Sequence, residues 1–169
     1  MKKLNLKEAP STIAFTFGRF NLLHRGHIDL FKQMHDSADK VLIGVSGGSK
    51  NLHYAPRRAT IRRALQADTS FTQFELVQAA SPFALLEHIT DEPEETVIYL
   101  GHDQFELGQT MSREFGCATI CIPRLTSSTT IRHLIDTEQW SLLAKDVPQS
   151  IINDVINLRQ QELTCQSSL

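Results

Sequence analysis

The sequence predicts an α/β fold, with five parallel strands in one sheet and helices on both of its faces. Three observations carry that expectation. β-Branched and apolar runs alternate with amphipathic runs along most of the 169 residues. Some apolar runs are continuous, such as Val41-Leu42-Ile43-Gly44-Val45, as in strands covered on both faces. Repeated strand–helix alternation builds βαβ units, whose right-handed crossovers close into a parallel sheet.

Each element has its own local reason. Residues 12–17 are β-branched and aromatic and read as the first strand. Residues 26–37 read as a helix, with Ile28, Leu30, Phe31 and Met34 on its apolar face. The second strand is the run from Val41 to Val45, and Gly47-Gly48-Ser49 is a loop. Pro56 suits the first position of a helix running to Leu65. Residues 74–79 form the third strand, and Ser81-Pro82 starts a helix over 83–89. An acidic turn, Asp91-Glu92-Pro93-Glu94-Glu95, leads to a strand over 96–100 and then Gly101-His102-Asp103. The next helix runs to Phe115 and closes at Gly116. Residues 118–122 are the last strand, ended by Pro123. A helix over 129–135 follows, capped by Ser127 or Ser128, then a longer one over 148–163 and a polar, frayed tail. Trp140 reads as a packing residue that closes the last helices on the sheet. One domain is expected over 1–169, with its core at about 12–158.

Bulk properties exclude several classes. The net charge of −2 gives no global field for nucleic acid or an anionic membrane, so neither is expected as a partner. No apolar run approaches the ~20 residues of a membrane span, and the N-terminal residues do not resemble a signal peptide. Cys117, Cys121 and Cys165 are odd in number and widely spaced, which argues for a reducing, cytoplasmic setting. No set of metal ligands is assigned.

The chemistry concentrates at two places. The first is Gly18-Arg19-Phe20-Asn21-Leu22-Leu23-His24-Arg25-Gly26-His27, between the first strand and its helix. A helix N-terminus offers unpaired N–H groups and a partial positive charge, which suit phosphate. Gly26 lets a ligand approach the backbone, and two imidazoles can donate to phosphate oxygens. The second is Thr126-Ser127-Ser128-Thr129-Thr130-Ile131-Arg132, leading into a later helix. Its hydroxyls, N–H groups and guanidinium could clamp a polyphosphate, or its serines could simply cap the helix. In an open parallel sheet, ligands bind beyond the carboxyl ends of the strands at a switch in strand order. Both motifs and Gly101–Asp103 follow predicted strands, so all three regions converge on one sheet edge.

His24-Arg25-Gly26-His27 and Ser127-Ser128-Thr129-Thr130-Ile131-Arg132 together resemble the nucleotidyltransferase superfamily marked by H-x-G-H and S-[SG]-T-x-I-R motifs. Gly18-Arg19-Phe20, Trp140 and Val147-Pro148 are most similar to the nicotinamide-nucleotide adenylyltransferases of archaeal type. The resemblance implies a Rossmann-like fold and AMP transfer from ATP to nicotinamide mononucleotide, giving NAD and pyrophosphate by in-line attack. It implies His24, His27 and Arg132 as catalytic residues, with His27 on the transferred phosphate. It also implies a nucleotide site of Gly18, Arg19, Phe20, Gly26, Ser127, Ser128 and Thr129. Mg²⁺ is implied as bound through the nucleotide phosphates. Family members form oligomers, so a homo-oligomer is a possible partner state.

The chain departs from that branch at Ser128, where glycine is common, and at Arg57, where a glutamate precedes Arg58. Arg58 reads equally as a phosphate contact or a solvated helix residue. Asp103 reads equally as a ribose or base contact or a helix cap. Lys50 occupies a region where several relatives place a phosphate-binding lysine. Two other readings stand beside the first: a cytidylyltransferase using CTP and a phosphoalcohol, and a non-catalytic nucleotide-binding module.

Overall fold

The computed structural model describes residues 12–47, 53–68, 71, 73–89, 95–123 and 125–166. Its strands are β1 (Ile13–Gly18), β2 (Lys40–Ser46), β3 (Phe74–Ala79), β4 (Thr96–Gly101) and β5 (Ala118–Ile122). Its helices are α1 (Arg25–Ser37), α2 (Tyr54–Ala67), α3 (Pro82–Ile89), α4 (Phe105–Phe115), α5 (Ser128–Asp136), α6 (Trp140–Asp146) and α7 (Ile152–Gln166). The strands form one parallel sheet in the order β3-β2-β1-β4-β5. This is the expected Rossmann-like arrangement.

Side-chain alternation along the central strands divides the core into two layers. Ala14, Val41, Ile43, Val45 and Tyr99 face α1, α2, α5, α6 and α7. Phe15, Leu42, Ile98 and Leu100 face α3 and α4. α1 supplies Ile28, Leu30, Phe31 and Met34 to the first layer, the four residues its periodicity selects. The strand order reverses at β1, whose neighbours are β2 on one side and β4 on the other. β1 aligns Phe15 with Leu42 on β2 and with Ile98 on β4. The crossovers leaving β1 and β4 therefore diverge to opposite faces, and a crevice opens beyond their carboxyl ends.

Several boundaries differ from the sequence expectation. α2 begins at Tyr54, so Pro56 is its third residue and not its first. The missing N–H costs nothing there, because the first four N–H groups of a helix have no intrahelical partner. α6 was not expected; among its seven residues only Leu143 is buried, so it carries no apolar stripe. The predicted helix over 148–163 is divided: Pro148 is extended, Gln149–Ile151 is a 3₁₀ turn, and α7 follows. α7 continues through Gln166, past the predicted start of the tail. Trp140 is 45% exposed at the start of α6 and does not close the core. Most of the acidic turn and of the Gly47-Gly48-Ser49 loop lies outside the described residues.

Gly116 ends α4 in the left-handed region at φ 70°, and its N–H donates to the Ser112 carbonyl at 2.9 Å. A Cβ there would meet no atom within 4 Å, so a side chain would act through the backbone alone. Gly116→Ala should therefore destabilise the protein by about 1 kcal/mol in urea unfolding. A loss near zero would exclude this conformational account.

Candidate active site

The crevice at the β1/β4 edge is a cleft of about 390 Å³. β1 and the segment after it line one side with Thr16, Phe17, Gly18, Arg19, Phe20 and Asn21. Gly101, Asp103 and Gln104 line it from the end of β4, and Ile122 and Pro123 from the end of β5. His24, Gly26, His27 and Leu30 come from the start of α1, and Ser128 and Arg132 from α5.

The turn after β1 is built around Phe20, a non-glycine residue at φ 47°. That conformation is costly for a bulky side chain and persists only where the surroundings fix it. Here the ring is buried edge-on against His27 at 5.1 Å and against Phe31 at 5.5 Å. The backbone is held from below by Arg57 of α2, which is 1% exposed. Its Nη1 donates to the Arg19 carbonyl, its Nη2 to the Ser46 carbonyl at 2.6 Å, and its Nε to the His53 carbonyl at 3.3 Å. One guanidinium thus ties together the turn after β1, the end of β2 and the start of α2. Burial lowers the Arg57 pKa from its ordinary value, with a smaller opposing effect from Tyr54.

His24 is the N-cap of α1, in extended conformation, and its carbonyl accepts from the N–H groups of His27 and Ile28 at 2.9 and 3.2 Å. Its ring is buried and stacks on that of His27, with centroids 3.8 Å apart and planes inclined by 25°. Gly26 leaves room for this packing. A Cβ there would stand 3.1 Å from His24 Nδ1, tighter than ordinary contact. Arg25 turns away from the cleft, and its Nε donates to the Lys145 carbonyl of α6 at 2.6 Å.

α5 approaches from the other side. Ser127 caps it, its Oγ accepting from the Thr130 N–H at 3.1 Å. Arg132 lies on the second turn and is forked onto Glu162 of α7. Its Nε donates to Oε2 and its Nη2 to Oε1, both at 2.8 Å. Glu162 Oε1 also accepts from Asn21 Nδ2 at 3.2 Å, and Oε2 from Arg159 Nη1 at 3.2 Å. Arg159 in turn donates to both oxygens of Asp136, at 3.0 and 2.7 Å. The hydrogen bond to Glu162 raises the Arg132 pKa. Burial opposes ionisation of Glu162, but the bonds from Arg132, Asn21 and Arg159 outweigh it and hold the carboxyl below its ordinary value.

A family model of cytidylyltransferase-like proteins matches residues 15–134, which span both motifs, most of β1 and the other four strands. The chain belongs to the cytidylyltransferase-like family. No curated protein matches its sequence. Among solved structures, it resembles the Plasmodium falciparum nicotinic acid mononucleotide adenylyltransferase complexed with APC, at 14% identity and a TM-score of 0.70. That match covers 89% of this chain and 98% of the other. It also resembles a bifunctional NMN adenylyltransferase/ADP ribose pyrophosphatase from Francisella tularensis, at 16% identity and a TM-score of 0.66. The likeness covers 94% of this chain and 54% of that larger protein. A second structure of the Francisella protein, complexed with AMP and a manganese ion, matches at 15% identity and a TM-score of 0.61. At these identities the likeness is one of fold.

Within this family fold, the two sequence motifs meet across one cleft. Gly18, Arg19, Phe20, His24, Gly26, His27, Asp103, Ser128 and Arg132 all line it. Ser127, Thr129 and Arg58 are not among its lining residues; Ser127 serves as the cap of α5, and Thr129 is exposed. Lys50 lies outside the described residues. Sequence reasoning missed Asn21, Arg57, Arg159 and Glu162. Asn21 sits inside the first motif and Arg57 at a departure from the resembling branch, so both positions carried a signal. Glu162 and Arg159 read only as polar residues of an amphipathic helix.

The low pKa of Glu162 makes a signed prediction. Its stabilising contribution is present above the unfolded value of about 4.3 and is lost as pH falls through the lower folded value. Wild-type protein should therefore lose stability more steeply than Glu162→Gln below pH ~4, in urea unfolding across an acid series. Parallel curves would mean that the carboxylate is not held ionised by its partners.

Proposed function

We propose that this protein is an adenylyltransferase that moves AMP from ATP to nicotinamide mononucleotide, yielding NAD and pyrophosphate. The observation that carries this reading is the single cleft at the β1/β4 switch point, which gathers His24, His27 and Arg132. Membership of the cytidylyltransferase-like family and the adenylyltransferase folds it resembles support it. On this reading the described strands and helices belong to one nucleotidyltransferase domain.

The chemistry needs positioning and charge neutralisation more than covalent participation. A phosphate oxygen of the mononucleotide attacks the α-phosphorus of ATP. The new P–O bond forms as the bond to the β-phosphate oxygen breaks, and pyrophosphate departs. His27, at the start of α1, donates a hydrogen bond to the α-phosphate as negative charge grows there. His24 packs against it and keeps its ring in place. Arg132 and the N-terminus of α5 neutralise the β- and γ-phosphates, with Ser128 beside them. Gly18, Arg19 and Phe20 form the wall against which the nucleotide rests, and Asp103 stands opposite for a ribose or base contact.

No group of three or more His, Cys, Asp or Glu side chains that could hold a metal is gathered among the described residues. On this reading Mg²⁺ would be carried by the phosphate oxygens of ATP and would add charge neutralisation at the triphosphate.

Incubation with ATP, Mg²⁺ and nicotinamide mononucleotide should yield the dinucleotide and pyrophosphate in equal amounts. His27→Ala should lower turnover by about 10²-fold or more while the protein remains folded. Absence of dinucleotide from folded wild-type protein would reject the reading. The family's name favours one second reading, cytidylyl transfer from CTP to a phosphoalcohol. Tighter calorimetric binding of CTP than of ATP would select it.

A further inference from the structure

The cleft depends on a side chain that does not line it. Glu162 is 7% exposed on α7 and accepts four hydrogen bonds through its two carboxylate oxygens. Two come from Arg132, one from Asn21 and one from Arg159. Asn21 follows β1, and Arg132 lies on α5. The residues that the first and second motifs bring to the cleft therefore share one buried carboxylate. A carboxylate only accepts, so it fixes the Asn21 amide with Nδ2 toward α7. Asn21 Oδ1 is buried and has no hydrogen-bond partner among the described residues, while Asn21 itself lines the cleft.

Guanidinium geometry gives the arrangement a direction. Arginine has five N–H donors in a rigid plane. The fork to Glu162 takes the Nε–H and one Nη2–H. The other Nη2–H and both Nη1–H groups point away from that edge. Arg132 is a cleft residue with a side chain 34% exposed, and its other N–H groups have no acceptor among the described residues. The charges of Arg132, Arg159, Asp136 and Glu162 sum to zero. An incoming polyphosphate therefore meets an oriented donor array and not a loose cation.

We propose that Glu162 is the positioning residue of the phosphate site, holding Arg132 with its free edge toward the anion and locking Asn21 to the same frame. This rests on the nucleotidyltransferase reading and adds to it the device that aligns the two motifs. Glu162 keeps its fork when the nucleotide binds; it is not a latch that must release Arg132.

The test uses the full chain and Mg·ATP, with inorganic tripolyphosphate as a base-free probe. Glu162→Gln and Glu162→Ala should weaken both by about tenfold or more in calorimetry. Asp136→Asn breaks the neighbouring Arg159 pair but removes no hydrogen bond of Arg132 and only the least of the influences on its charge, so it should weaken neither affinity by more than about twofold. In an Arg132→Ala background, Glu162→Gln should cost much less affinity than it does in the wild type, with only the Asn21 and Arg159 contacts left to lose. The wild-type Arg132 Nε–H resonance should stay protected from exchange and keep its shift when Mg·ATP is added. Loss of that protection on binding would overturn the positioning role and make the contact a latch. Affinity in Glu162→Gln equal to wild type would overturn it too. If the Glu162 variants fail to fold, the wild-type resonance decides alone. Wild-type protein that binds neither probe would remove the nucleotide reading and this inference with it. Tight wild-type binding with indifferent Glu162 variants would remove this inference only.

Discussion

The reversal of strand order at β1 is the constraint from which the site follows. A parallel strand with neighbours on both sides sends its own crossover to one face while its later neighbour sends one to the other. The backbone beyond β1 and β4 therefore cannot be covered by the crossovers that leave it. Among the described residues, His24, His27, Asp103, Ser128 and Arg132 all line that opening. The turn through Phe20, the imidazole stack, the segment after β4 and the N-terminal half of α5 are separate in sequence, and the sheet makes them neighbours.

Two arginines stabilise the opening by different physics. Among the described residues, Arg57 has no carboxylate as a hydrogen-bond partner; it is solvated by three backbone carbonyls and replaces the water those groups would otherwise require. Arg132 is held by a carboxylate. A buried ion pair often adds little net stability, because desolvation offsets attraction. Its contribution here is geometric, since two parallel bonds fix a plane as well as a position. The whole chain carries a net charge of −2, so affinity for an anion must come from local donors and not from a global field.

Much of the fold was legible because periodicity reports burial directly. β3 and β5 fall on the residues that their apolar runs mark, and Ser81, Ser127 and Gly116 act at the helix ends where their chemistry suggests. α6 was invisible for the same reason, since one buried residue cannot make a pattern. The motif residues were legible as types at a strand–helix junction. The residues that support them were not. Arg57 and Glu162 are charged side chains buried by tertiary packing; Arg57 stood out only as a departure from the resembling branch, and nothing local distinguishes Glu162 from a solvated polar neighbour such as Gln161. Trp140 misled because aromatic size suggests a core position, while the helix it starts is held at Leu143.

The pairing of β1 with β4 also bears on how the molecule assembles. Ile13 meets Thr96, a residue from the opposite half of the chain, whereas β1, β2 and β3 pair in sequence order. Long-range pairing closes a large loop and is slow relative to local contacts. The crevice is complete only once β4 has paired with β1. Any molecule that binds there recognises only the species in which the two halves have joined. It acts as a selective brake on unfolding and does nothing for earlier states.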